Sequence, residues 1–557
     1  MVDQTIDGGV ARQGPANYAL SFERMAIAAA FLALCVLSYT RNVNWDEFYF
    51  LSHVHAWLDG RLDRPMQTGF VHAFTWLGLV PGHEMEQIFA ARVVMIGCLA
   101  ATSFSIHRIA HHLTNERSAN VAVLAFLCSG FVLAHGGSFR ADPIAAALLT
   151  SAVAVAMTTR LALLHIVAVG ALLALSFMVT IKSALYLPAF LGVMIWRMND
   201  RAAVVRLCVA MVVASGLVVL FYTWHASGVT VADGNEASTN AKDAVKTGFL
   251  QDGLFPRQYV IRSWVLFSLP QLILAAIGFV SLGRSRLVLT LCLFAAPVLS
   301  VAIYRNAFPY FFPFAAPLLM IAVAIGAQRI KSPKVMVQLG ILMIFGAILQ
   351  LALIAPENSR SQRATIAEVH RLFDKPISYI DGFGIMSSFP KTAFFMSSWG
   401  VARYRAAGQP VFAGIIQNEQ PPLLLAQRYA LQNALMGEVE SDTPFDLLPE
   451  DRAVLRRSYV HYSGTIWLAG AETVLSETGA QISVPFEGHY RVETEGTVTI
   501  NGAGYNDGDV ISVDNLDLQV KGTAGTRLRF IWDTGVAPIP SGALGTVIYA
   551  GFGRLML

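Results

Sequence analysis

The chain has 557 residues, of which 55% are hydrophobic and only 14% charged, and its mean hydropathy is +0.53; this excludes an ordinary soluble domain. Forty basic residues against 37 acidic ones leave a net charge of +3, too little to mark a nucleic-acid partner, so the basic residues carry information by position and not by total. Cys35, Cys98, Cys128, Cys208 and Cys292 all fall in apolar runs with no metal-site or disulfide spacing, and read as small hydrophobes.

A helical span needs roughly 17–25 mostly apolar residues, and about eleven segments meet that criterion. They cover approximately 22–40, 88–106, 118–136, 142–159, 161–180, 183–197, 203–224, 259–281, 286–304, 309–328 and 335–355. Residues 1–21 form a polar N-terminus, and the first span reads as an uncleaved anchor because no small-residue cleavage site follows it. Loops holding Arg108 and Arg117, Arg160, Arg197, Arg201 and Arg206, Arg284 and Arg286, then Arg329, Lys331 and Lys334 alternate with poorer ones. Basic loops stay inside, so this side is expected to be cytoplasmic and the opposite loops external.

Three external segments are long. Residues 41–87 are rich in aromatic and charged side chains and are expected to form helices along the membrane surface. Residues 225–258 are Gly-, Ser- and Asn-rich and read as a loop near a site. The tail, 356–557, falls to soluble hydropathy: about 370–440 reads as mixed α/β, and about 480–557 as short strands and turns forming a β-sandwich. The predicted whole is a polytopic α-helical membrane protein with a 22–355 transmembrane domain and an external tail.

The stretch RNVNWDEFYF puts Asp46 and Glu47 just beyond the first span. A carboxylate in that position acts as a general base if held near a hydroxyl, or simply caps the helix that follows. The next external turn, HGGSFRADPIAAALL, adds Arg140 and Asp142, with Pro143 opening a helix. Lys182 in VTIKSALYLP and Arg305 in AIYRNAFPYFFPFAAPLL stand alone in apolar external turns, where a buried cation costs roughly 2.5–3.5 kcal/mol and calls for an anion. Arg257 and Arg262 flank the eighth span and join the same group or snorkel to lipid headgroups. His53, His55, His72 and His83 lack an HExxH spacing, so they read as surface or supporting groups, with a metal centre built from them and Asp46 or Glu47 as the weaker alternative.

WDE after the first span, FRADP after the third, a lone lysine after the fifth and YRNAFPYFFPFAAPLL near the end of the bundle together resemble the membrane-embedded GT-C glycosyltransferases. The likeness is to the branch of protein O-mannosyltransferases and lipid A aminoarabinose transferases, and it covers roughly the first 330 residues. It implies an inverting transferase that moves a sugar from a polyprenyl-phosphate donor to a hydroxyl of lipid A, a surface polysaccharide or a protein, in the bacterial inner membrane with a periplasmic tail. By position it implies Asp46 as the catalytic carboxylate with Glu47 beside it, Asp142 as a second acid, and Lys182 and Arg305, with Arg140 and Arg257, around the donor phosphate. No cofactor is required, and a divalent cation is compatible. Two other classes stay open. A transporter or flippase would carry charges at mid-membrane depth and often internal symmetry, and an oligosaccharyltransferase-like relative would use a lipid-pyrophosphate donor.

Overall fold

A computed structural model describes residues 21–230, 253–283, 285–353, 358–427, 429–437, 443–540 and 542–549. Most of the expected 225–258 loop lies outside the described residues. Each of the eleven apolar segments is helical, but not every one is a straight span. Five helices are long and apolar enough to cross a bilayer: Phe22–Thr40, Glu84–Leu113, Ala141–Thr158, Arg201–Ala226 and Pro333–Ala352. Two further pairs qualify as broken spans: Gln258–Phe267 with Leu269–Ser281 bends by 82°, and Pro309–Ala315 with Pro317–Arg329 by 50°. Leu163–Val179 and Ile181–Trp196 are shorter apolar helices. Proline accounts for the breaks at Pro270, Pro313 and Pro317, since it removes a backbone donor and clashes with the preceding turn. This is a multi-pass membrane protein.

The arginine-bearing loops meet at one end of the bundle. Arg117 pairs with Glu23 at 2.9 Å, Arg206 donates to the Arg160 carbonyl at 2.9 Å, and Arg197 donates to the carbonyls of Met157 and Thr159. Arg286 reaches Asn199 at 2.6 Å. The tail sits at the other end. Gln362 pairs with both backbone groups of Val43, at 2.8 and 2.7 Å, and Ser387 donates to the Phe48 carbonyl.

The 41–87 segment is helical, and its helix Trp45–Leu58 packs against the tail. Phe48, Leu51, Val54, Phe70, Val71 and Leu77 are buried in one core with Val369, Tyr379, Met386, Leu423 and Leu468 of the tail. The segment is the middle layer between bundle and tail, and these six apolar side chains are covered by protein.

The tail also departs from a two-part reading. Strands Tyr379–Asp381, Lys391–Thr392 and Leu423–Leu425 pair in parallel. The nine-residue strand Ile466–Val474 then joins them to the antiparallel half: its first residues pair with Leu423–Leu425 and Tyr459–Ser463, and its last with Arg527–Trp532. One eight-stranded sheet therefore runs through both parts. A four-stranded sheet of Ala480–Ser483, Asp517–Lys521, Val498–Ile500 and Ala503–Tyr505 closes over its far end, burying Ile482, Val492, Val520 and Phe530 between them. The sandwich is present, but it shares a sheet with the α/β part.

Candidate active site

Helix Trp45–Leu58 starts with a capping box. Asn44 accepts from the Asp46 amide at 3.0 Å and Glu47 accepts from the Asn44 amide at 3.0 Å. This fixes two adjacent carboxylates on different faces of the first helical turn. Glu47 turns inward. Arg92 grips it with two bonds, of 2.8 and 2.6 Å, and the Phe139 amide adds a third donor at 2.8 Å. Burial pushes the Glu47 carboxyl up, but Arg92 and the two backbone amides more than offset this and hold it below the usual range. Glu47, expected beside Asp46 as its support, has its oxygens filled by these donors and bridges helix Glu84–Leu113 to the FRADP turn.

Asp46 turns the other way and pairs with Arg140. Arg140 in turn lies 3.5 Å from Asp142, and the other Asp142 oxygen takes the Lys182 ammonium. Three turns far apart in the chain thus meet in one line: Asp46, Arg140, Asp142, Lys182. The two ends are accessible, with Asp46 and Lys182 keeping 17% and 16% of their side-chain surface, whereas Arg140 and Asp142 keep 7% and 1%. Asp142, expected as a second acid of the site, is buried between the two cations. The Tyr310 ring lies under the line, 3.5 Å from the Arg140 guanidinium carbon and 5.9 Å from the Lys182 nitrogen.

Two cavities flank this line. One, of about 320 Å³, is lined by Trp45, Asp46, Asn306, Phe308 and Tyr310 of the bundle side and by Phe383, Phe395, Ser397, Ser398 and Trp399 of the tail. The other, of about 190 Å³, is cationic: Arg64, Arg140 and Lys182 line it with Asp142, Tyr49, Gln67 and Thr180. Of the expected phosphate-binding residues, Arg140 and Lys182 line the cationic cavity and Arg305 and Arg257 line neither. Arg305 stacks on Trp399 and Arg257 lies 4.6 Å from the centre of the Phe308 ring, both against walls of the Asp46 cavity.

Some site residues carry no sequence signal of this role. Gln67 adopts a left-handed φ of 62°, unusual away from glycine, and its side-chain oxygen accepts from the Thr180 hydroxyl at 3.3 Å and the Ile181 amide at 3.4 Å. It thereby ties down the turn that carries Lys182. Arg64 sits in a charged stretch that looks like solvated surface, and the tail rings are 340 residues from Asp46; only the run DGRLDR and the aromatic content hinted at either. Among the histidines, His53 is buried and bonds the Tyr49 carbonyl at 2.7 Å, His55 meets Gln87, His72 meets His225, and His83 stacks on His370. Among the described residues no three His, Cys, Asp or Glu side chains converge as a metal site would require.

Comparison with solved structures decides the fold. The ArnT of Cupriavidus metallidurans in its apo state superposes with a TM-score of 0.50 and 12% identity, over 72% of this chain and 92% of that one. The chain has the GT-C fold. The same ArnT bound to undecaprenyl phosphate gives 0.46 with 16% identity, over 62% and 69% of the two chains. The oligosaccharyltransferase AglB of Archaeoglobus fulgidus, in complex with an inhibitory peptide and a dolichol-phosphate, gives 0.48 with 10% identity over 94% and 97%. No family model and no curated protein sequence matches. Within a GT-C fold, a polytopic bundle topped by a C-terminal soluble domain, the line of charges lies at the junction of the two parts.

Proposed function

We propose that this protein is an inverting glycosyltransferase that moves a hexose or pentose from a polyprenyl-phosphate donor to a hydroxyl of the cell envelope, on the periplasmic side of a bacterial inner membrane. The observation that carries this reading is the line Asp46, Arg140, Asp142, Lys182, with a reachable carboxylate at one end and a reachable ammonium at the other. The donor phosphate enters the cationic cavity of Arg64, Arg140 and Lys182. The acceptor hydroxyl enters the neighbouring cavity beside Asp46.

Its oxygen attacks the anomeric carbon, Asp46 takes the hydroxyl proton, and the bond from that carbon to the phosphate oxygen breaks. Polyprenyl phosphate departs with the electron pair, and Lys182 and Arg140 stabilise the charge that grows there; a fixed donor of this kind is worth about 2.7–4 kcal/mol. The donor brings its own leaving group, so no nucleotide site and no metal is needed. ArnT crystallised with undecaprenyl phosphate and AglB solved with a dolichol-phosphate are in keeping with such a donor. The acceptor is lipid A, a surface polysaccharide or a protein.

The test is transfer of label from a panel of radiolabelled polyprenyl-phosphate monosaccharides to cell-envelope extract by the purified protein. Wild type transfers from one donor, and Asp46→Asn transfers at least about a hundredfold more slowly while still binding that donor. Transfer that survives Asp46→Asn unchanged overturns the reading, and so does an absence of transfer from every donor.

A further inference from the structure

The Asp46 cavity has walls that the transfer chemistry alone does not require. Half of them come from the tail, and they are flat and aromatic. Trp45 and Phe383 stack nearly parallel, 5.1 Å apart at 12°, and Phe395 meets Phe383 edge-on at 5.4 Å. Trp399 faces the same space with the Arg305 guanidinium on its ring, and Phe308 and Tyr310 close the bundle side. Between the rings stand a few directional polar groups: Asp46, Asn306, Ser397 and Ser398.

The tail rings are held where a ligand is expected. Phe383 follows strand Tyr379–Asp381 and Phe395 follows strand Lys391–Thr392, and these strands are adjacent and parallel. The crevice beyond the carboxyl ends of parallel strands is the usual ligand position of such sheets. Buried Asp381 fixes the first loop by accepting from the Phe383, Gly384 and Ile385 amides at 3.2, 2.7 and 2.8 Å.

We infer that this cavity is a sugar subsite shared by bundle and tail, and that the acceptor is itself a glycan whose terminal ring packs against Trp45 and Trp399, with buried Phe383 backing Trp45 and the sugar hydroxyl at Asp46. A sugar ring has one apolar C–H face and a rim of hydroxyls, which matches flat rings interrupted by a carboxylate, an amide and two serines. A lipid chain has no use for those polar groups. At about 320 Å³ the space lies within the range of roughly 300–1,000 Å³ typical of small-molecule sites. The inference rests on the transferase reading only in assigning the bound hydroxyl to Asp46.

The experiment measures binding without turnover. Full-length protein in detergent is dialysed to equilibrium against radiolabelled methyl glycosides of the common hexoses and pentoses, and separately against sugar-free polyprenyl phosphate. At least one glycoside binds wild type, and Trp45→Ala and Trp399→Ala weaken it about fivefold or more, the loss of one stacking partner. Trp399→Phe restores much of it, and polyprenyl phosphate binds all four proteins alike. A donor analogue that cannot react, added at saturation, leaves glycoside binding intact if the ring belongs to the acceptor.

Failure of every glycoside to bind overturns the inference, as does binding indifferent to both alanine variants. Competitive loss on adding the donor analogue reassigns the ring to the donor and overturns the glycan acceptor. Binding that behaves as expected in a protein that transfers no label upholds the subsite and removes the transferase reading instead.

Discussion

Asp46 and Glu47 are adjacent in the chain, yet one faces a cavity and the other is enclosed by Arg92 and two backbone amides. Their substitutions should therefore fail differently. Glu47→Gln leaves the Arg92 guanidinium uncompensated in a buried site, which costs about 3–5 kcal/mol; a large drop in detergent melting temperature is the expected result, with turnover per folded molecule retained. Asp46→Asn should keep the melting temperature closer to wild type and lose turnover, by the general-base contribution of about 10²–10⁴. Lys182→Met is expected to slow transfer by about 10²–10³ because one fixed cation is missing from the departing phosphate, a loss read from single-turnover rates. His53 contributes to the pH dependence of stability. Burial lowers its pKa from an ordinary 6.5 to about 4. Between those values the unfolded chain binds a proton that the folded chain refuses, so stability falls as pH drops from 6.5 towards 4, by a total on the order of 3 kcal/mol. Thermal melts across that window should show the slope, and His53→Gln should reduce it.

At the scale of elements, the bundle depends on close approaches that side-chain patterns do not advertise. Helices Leu269–Ser281 and Met320–Arg329 cross where Gly278 faces the Ala322 carbonyl and Gly326 faces the Leu274 carbonyl, each leaving no room for a Cβ. Small residues let membrane helices pack backbone to backbone. Gly326→Ala should then destabilise by about 1–3 kcal/mol through overpacking, seen as a lower melting temperature with the site residues untouched. The capping box at Asn44 was readable as a helix start from acidic residues after a polar one, since that rule is local. The parallel pairing of Tyr379–Asp381 with Leu423–Leu425 was not, because a three-residue strand has no period of its own and its partner lies more than 40 residues on.

The whole molecule is held together by the 41–87 layer. Phe48, Leu51, Val54 and Val71 are covered by Val369, Tyr379, Leu423 and Leu468. A chain ending before residue 358 would expose that surface, and size-exclusion chromatography in detergent should find it aggregated instead of monodisperse. Transfer by the full chain should persist in excess chelator, since the proposed step uses Lys182 and Arg140 in place of a metal; loss of label transfer on chelation would favour a metal-dependent, oligosaccharyltransferase-like route. The sequence by itself determined the apolar segments, the end at which the arginine loops gather, and Asp46, Arg140, Asp142 and Lys182 as charges needing company. Each of these follows from local composition, because an apolar run must be buried or spanned and a lone cation in such a run must be compensated. Only the tertiary structure decided that Arg92 encloses Glu47, that Asp142 meets both Arg140 and Lys182, that Arg305 packs on Trp399 away from the cavity of Lys182, and that the tail supplies half of the Asp46 wall. Those outcomes depend on which partners packing brings within a few ångströms, and no stretch of chain carries that information alone.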